Sequence, residues 1–182
     1  MDKVIVLDRD GTLTKDQHGY TYKTEDFELL PGVIEGLKKL SKEFIFVIIT
    51  NQSGIGRGIH TEKDMHKFNQ KLVNELKKEN IEIKKIYHCP HTPEQSCDCR
   101  KPSIKYIKEA EKEFSIDLKN SWVIGDHPHD IDMGIKAGCK NIYLLTGHGK
   151  KHFDELKKKD IKPDCIAKNF SEATEFIVEN KD

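Results

Sequence analysis

The chain has 182 residues, a length that suits one domain with a sizeable core. Lys and Arg number 31, as do Asp and Glu, so the formal net charge is zero and a general nucleic-acid partner is not expected. No apolar run approaches the ~20 residues of a spanning helix, and the stretch after Met1 is too short for a signal peptide. A soluble, cytoplasmic, monomeric protein with no membrane partner is expected.

Strand and helix patterns alternate along the chain. Residues 3–7 are a short β-branched run, read as a buried strand. Residues 33–40 carry helical spacing behind Pro31-Gly32, where proline suits a helix start. Residues 44–49 are a second strand. Thr61, with Asp64 three residues on, is a predicted N-cap for a helix reaching about residue 79. A third strand over 83–87 leads into a Cys-rich loop over 88–102. Ser103 is a predicted cap for a helix over 104–114. Residues 122–124 form a fourth strand, 131–137 a short helix ending at Gly138, and 142–145 a fifth strand. A Lys-rich helix near 152–159, a weak strand at 165–167 and a helix near 171–178 complete the reading. This βα alternation predicts an α/β fold, a central parallel sheet with helices on both faces. Without a Pro/Gly/Ser-rich linker or a long insertion, one domain over 1–182 with no large cap domain is expected.

In such sheets, ligands bind outside the carboxyl ends of the strands. The unusual polar residues fall there. Asp8 and Asp10 follow the first strand, Thr50 and Asn51 the second, Arg100 and Lys101 the third, Asp126 and Asp130 the fourth. In Asp8-Arg9-Asp10-Gly11-Thr12, two carboxylates two residues apart can face one site, one to attack and one to exchange protons. An Asp-Gly turn behind a solvated acid is the plainer alternative. Thr50-Asn51-Gln52-Ser53-Gly54 offers a hydroxyl, amides and a Gly-rich turn suited to phosphate oxygens, or else a polar loop. In Gly125-Asp126-His127-Pro128-His129-Asp130 the acids can hold or orient Mg²⁺, and Asp130 can also cap the following helix.

Cys89, His91, Cys97 and Cys99 give C-x-H-x₅-C-x-C, three thiolates and an imidazole suited to a closed structural Zn²⁺ site. Chance pairs or a redox disulfide are the alternatives, and His88 competes with His91 as a ligand. Cys139 and Cys165 read as ordinary buried thiols.

Taken together, the motifs resemble the haloacid dehalogenase superfamily of phosphatases. The strand with Asp-x-Asp-Gly-Thr, the Thr50 strand end, Lys101 and Gly-Asp-x-x-x-Asp at 125–130 match in order. The resemblance implies a Rossmann-like fold, Asp8 as nucleophile and Asp10 as acid and base. It implies Thr50 and Lys101 as phosphate binders, and Mg²⁺ on Asp8, Asp10 and Asp126 with Asp130 behind them. Within the superfamily, the zinc loop, His18-Gly19-Tyr20 and the run from Thr50 to Gly58 look like the heptose-bisphosphate phosphatases of carbohydrate metabolism. The compact x₅ loop is closer to the histidinol-phosphate branch. The heptose resemblance implies a small phosphorylated sugar or alcohol as substrate, read by Arg100 and by His18, Gly19, Tyr20, Thr50, Asn51, Gln52 and Ser53. Arg57 is then a partner for a second phosphate, or a surface charge.

Overall fold

The protein is described here by a computed structural model covering residues 1–16 and 19–180. Among the described residues, six strands form one sheet: β1 (Lys3–Leu7), β2 (Phe44–Asn51), β3 (Ile83–Cys89), β4 (Trp122–Gly125), β5 (Lys140–Leu144) and β6 (Cys165–Ala167). Seven α-helices among the same residues connect or cover them: α1 (Val33–Leu40), α2 (Ser53–Gly56), α3 (Glu62–Lys78), α4 (Lys105–Phe114), α5 (Pro128–Ala137), α6 (Gly149–Lys158) and α7 (Phe170–Glu179). The strand order is β3-β2-β1-β4-β5-β6, with every pair parallel. The chain adds β2 and β3 on one side of β1, then crosses to build the other side from β4. Connections diverge at that switch and leave a crevice beyond the carboxyl ends of β1 and β4. Leu7 pairs with both Ile48 and Ile124, so β1 and β4 end within one residue of each other while β2 runs three residues further, to Asn51.

Side chains alternate between the two faces of each strand. Ile5, Leu7, Phe46, Ile48 and Ile124 share one core with Leu37 of α1, Leu72 of α3 and Ile177 of α7. Val4, Val6, Val47, Ile49 and Val123 share the other with Ile107 of α4 and Met133 of α5. Each such aliphatic side chain, fully buried, contributes about 1.5–3 kcal/mol. Together they fix the sheet that carries the rim. Among the described residues no helix is long and apolar enough to cross a membrane.

Several boundaries near the rim differ from the sequence reading. β2 runs on to Asn51 and β3 to Cys89, because ladder pairing of Thr50 with His88 and of Asn51 with Cys89 satisfies their backbones despite polar side chains. A short helix, α2, stands where a Gly-rich turn is predicted. α5 starts at Pro128 rather than 131, with His127 as N-cap and the Asp130 carboxylate accepting the His127 N–H at 3.0 Å. Thr61 and Asp64 form the expected capping box on α3. Ser103 is not the N-cap of α4; Ile104 is, while Ser103 Oγ accepts the Lys105 N–H.

Candidate active site

Asp8 directly follows β1, and its N–H still donates to Ile124 O at 3.0 Å. Gly11 then turns the chain at φ +83°, and a Cβ there would strike the Asp126 carboxylate. Gly125 likewise leaves no room for a Cβ beside Asp130. Gly11 thus lets the loop after β1 close against Asp126 of the loop after β4, while Gly125 lets the Asp130 side chain fold back over the end of its own strand.

Lys101 enters this group from the Cys-rich loop and is 4% exposed. Its Nζ donates to Asp8 Oδ1 at 2.7 Å and Ile49 O at 2.7 Å, and lies 2.6 Å from Asp130 Oδ1. All three ammonium hydrogens therefore have acceptors. Burial pulls the lysine pKa down, but Asp130 and then Asp8 more than offset it, so the net shift is upward and the cation is retained. The Lys101 N–H also donates to Asn51 Oδ1 at 3.0 Å, which anchors the backbone of this residue to β2.

Carboxylate oxygens of Asp8, Asp126 and Asp130 lie within 4.8 Å of one another. Burial pushes the Asp8 carboxyl up to about 7; Lys101 opposes this, while Asp130 and Asp10 add to it. Burial, followed by Asp8 and Asp130, also pushes Asp126 well up, against an N–H donated by His148 at 2.7 Å. One ammonium facing three buried carboxylates leaves negative charge uncompensated. An all-oxygen donor set of this kind fits a hard divalent cation such as Mg²⁺. Both oxygens of Asp130 are already engaged, one by Lys101 and one by the His127 N–H, which leaves Asp8 and Asp126 the freer ligands.

Asp10 is held from the opposite side. Arg9, fully buried, donates Nε to Oδ1 at 2.9 Å and Nη2 to Oδ2 at 2.8 Å, a bidentate clamp. Asn69 Oδ1 on α3 accepts Arg9 Nη1 at 2.8 Å, Thr21 O accepts Nη2 at 3.1 Å, and the guanidinium lies 4.7 Å from the Phe68 ring. Gln52 Nε2 donates to Asp10 Oδ2 at 2.7 Å and to Thr50 Oγ1 at 2.9 Å. The carboxylate is thus fixed in orientation at the mouth of the cleft.

The cleft is lined by Asp8, Asp10, Thr50, Asn51, Lys101, Asp126 and Asp130, together with Asp16, Gly19, Arg100, His127, His129 and His148. Burial takes the His127 ring down to about 4, with Asp130 opposing and His129 and His152 reinforcing, so the ring is neutral near pH 7. Asp16 joins two distant segments: its Oδ2 meets His148 Nε2 at 2.9 Å and its Oδ1 accepts Thr21 Oγ1 at 2.7 Å. Tyr20, Ser53 and Arg57 do not line the cleft, and His18 lies outside the described residues. Arg57 lies 3.8 Å from exposed Glu94; Arg100 is the guanidinium on the cleft wall. Gln52 serves Asp10 and Thr50 rather than open space.

The Cys-rich loop gathers its four donors at the end of β3. Cys89, Cys97 and Cys99 Sγ atoms are 3.2–3.6 Å apart, and His91 Nδ1 is 3.6 Å from Cys89 Sγ and 3.4 Å from Cys99 Sγ. A tetrahedral ion with Zn–S of about 2.3 Å needs donor spacings of about 3.7 Å, so these edges fit with small adjustment. All five cysteines are free thiols in the structure. Burial and then the Cys99 thiol push the Cys89 thiol up, whereas for Cys97, against burial, the N–H groups of Cys99 and Arg100 and neighbouring thiols bring it down to about 6, so Cys97 is the readier thiolate of the set. His88 is not part of this set; its ring turns to Glu62 on α3. Arg100 Nη1 donates to His91 O at 3.2 Å, so the loop also braces a cleft residue.

Arg9, Asn69, Asp16 and His148 are site residues that the sequence reading did not single out. Arg9 had a visible signal, a cation between two acids of one motif. Asn69 lies 60 positions away and has none.

Comparison with known proteins agrees with this geometry. A family model described as HAD-hydrolase-like matches residues 98–173. Relatives 39% and 42% identical, covering four fifths or more of the chain, show that it belongs to the haloacid dehalogenase-like hydrolases, and it is a phosphatase of that family. A D-glycero-alpha-D-manno-heptose-1,7-bisphosphate 7-phosphatase of Campylobacter jejuni is 39% identical over 162 residues, covering 86% of this chain and 92% of the relative. A Photorhabdus laumondii protein of the same name is 42% identical over 155 residues, covering 80% and 84%. The crystal structure of D,D-heptose 1.7-bisphosphate phosphatase from B. bronchiseptica, complexed with magnesium and phosphate, matches with a TM-score of 0.87 at 26% identity, covering 98% of this chain and 99% of the other.

Proposed function

We propose that the chain, as one domain and a monomer, removes the 7-phosphate of D-glycero-D-manno-heptose 1,7-bisphosphate through an aspartyl-phosphate on Asp8. The observation that carries the chemistry is Lys101 Nζ, set 2.7 Å from Asp8 and 2.6 Å from Asp130 at the end of β1. Asp8 attacks phosphorus in line with the departing sugar oxygen. Lys101 and Thr50 bind phosphoryl oxygens and stabilise the charge spread over them in the transition state. Asp10, oriented by Arg9 and Gln52, gives its proton to the leaving oxygen. It then takes a proton from the water that hydrolyses the aspartyl-phosphate, which restores both carboxyls. Mg²⁺, bound by Asp8, the Asp10 backbone carbonyl and Asp126, would supply charge that offsets repulsion between carboxylate and phosphate. Zn²⁺ on Cys89, His91, Cys97 and Cys99 is structural, since four protein donors leave no open position.

The substrate rests on the relatives, whose names specify heptose bisphosphate, and on Arg100 at the cleft wall, suited to the phosphate that is kept. The compact Cys-rich loop favours histidinol phosphate as the second reading. Phosphate release from the two compounds, compared as kcat/KM, separates them. A site built for two phosphates should prefer the bisphosphate by at least ~10²-fold. Faster turnover of histidinol phosphate would overturn the substrate while leaving the Asp8 chemistry standing.

A further inference from the structure

We propose that Glu62, His66 and His88 form a second transition-metal site on the outer surface, clipping α3 to the edge strand β3. It is separate from both the acid cleft and the thiolate loop.

Glu62 and His66 are four residues apart on α3, so their side chains stand one above the other on a single helix face. His88 reaches them from β3, the outermost strand on that side of the sheet. The donor atoms of the three residues all lie within 4.8 Å of one another. His88 Nε2 is 2.6 Å from Glu62 Oε1, and the His66 and His88 rings stand nearly perpendicular, at 85°, with centroids 5.4 Å apart. Two imidazoles bound to one tetrahedral ion, with M–N of about 2.1 Å, place their ring centroids about 5.2 Å apart. The ring pair therefore already has nearly the separation that a shared ion would impose. A surface ion pair explains Glu62 with His88, but not the arrival of a third donor from the next turn of the helix.

The donor set decides the class of ion. Two imidazole nitrogens and one carboxylate suit Zn²⁺, Ni²⁺, Co²⁺ or Cu²⁺ rather than Mg²⁺ or Ca²⁺, which prefer oxygen alone. His66 and Glu62 are exposed and His88 partly so, which leaves the remaining coordination position to water. The neighbouring Cys89 belongs to the thiolate set, whose donors are complete without His88. An ion here would join a helix to a strand that otherwise ends the sheet.

Equilibrium dialysis of the purified, zinc-loaded protein against Ni²⁺ tests the site. The wild type should retain one equivalent more than His66→Ala or His88→Ala. The acid cleft and the thiolate loop are intact in all three proteins, so the difference isolates these ligands. Phosphatase turnover should be the same in all three. Co²⁺ added to the wild type should give weak visible bands without the near-ultraviolet thiolate charge-transfer absorption, and His66→Ala should lose them. Equal Ni²⁺ uptake by the wild type and both histidine variants would overturn the proposal. So would a Co²⁺ spectrum dominated by thiolate absorption and unchanged in His66→Ala, since the added ion would then sit in the Cys-rich loop. Because His66 is exposed, its truncation leaves the core untouched, and a folded variant is available for the comparison.

Discussion

The acid cleft and the Cys-rich loop gather metal-type donors by opposite rules. In the cleft, three buried carboxylates face a single ammonium, the donors are hard oxygens, and the space above them is open. In the loop, four softer donors converge on one point and leave no side for a substrate. Uncompensated charge in an open crevice is suited to chemistry; a closed donor shell is suited to holding chain. The two regions meet in consecutive residues. Arg100 is braced by His91 O, and Lys101 carries its ammonium to Asp8.

The sharpest way to break this contrast is to remove the charge that should do the chemistry. Asp8→Asn keeps the size of the side chain and the contact with Lys101, but removes the carboxylate proposed as nucleophile. Its turnover should fall by on the order of 10⁴-fold or more. Asp10→Asn should lose at least ~10²-fold, the low end for general acid–base catalysis. Steady-state phosphate release on both variants is the measurement. Near-normal turnover in Asp8→Asn would mean that the unbalanced acids are not the reacting centre.

A smaller effect is expected on the other side of the comparison. If the loop only holds, emptying it should lower activity without altering the acids. Chelation of zinc, or Cys97→Ser, should reduce kcat/KM by about 10–100-fold, the usual cost of disturbing residues that orient a site. The loss should follow from the displaced Arg100 and Lys101, so the Mg²⁺ dependence of the remaining activity should keep its midpoint. Unchanged kinetics after metal analysis has verified zinc removal would separate the two regions.

Much of this contrast was legible in the chain because both regions announce themselves by residue type. Asp8, Asp10, Lys101 and Asp126 stand out as charges at the ends of apolar strands, and the Cys/His spacing is unusual by itself. What sequence could not supply was partnership across the fold. Asp16 and His148 meet over 132 positions, and Arg9 finds Asn69 only once α3 packs on the sheet. Arg57 sits in a Gly-rich run beside the Thr50 strand end, yet it caps the short helix α2 and lies 3.8 Å from Glu94 instead of lining the cleft. The true start of α5 was hidden because histidine is an uncommon N-cap; the Asp130 carboxylate completes the cap while also meeting Lys101.

The mildest test bears on the charge imbalance itself. In the metal-free protein, burial, joined by Asp130 and Asp10, outweighs Lys101 and raises the Asp8 carboxyl from 3.8 in the unfolded reference to about 7 in the fold, and Asp126 moves the same way. Between those values the folded state binds more protons than the unfolded state. Its stability is therefore greatest below the unfolded value and declines as pH rises through the folded one. A divalent cation replaces those protons and stabilises the folded state by mass action, so its benefit should grow across the same window. Melting curves of the zinc-loaded protein without Mg²⁺ and in saturating Mg²⁺, with no chelator present, should show a larger Mg²⁺-induced rise in Tm at pH 7.5 than at pH 5.5. Equal rises at the two pH values would show that the three acids are already balanced, and the distinction between an open, charge-hungry cleft and a closed, satisfied loop would lose its physical basis.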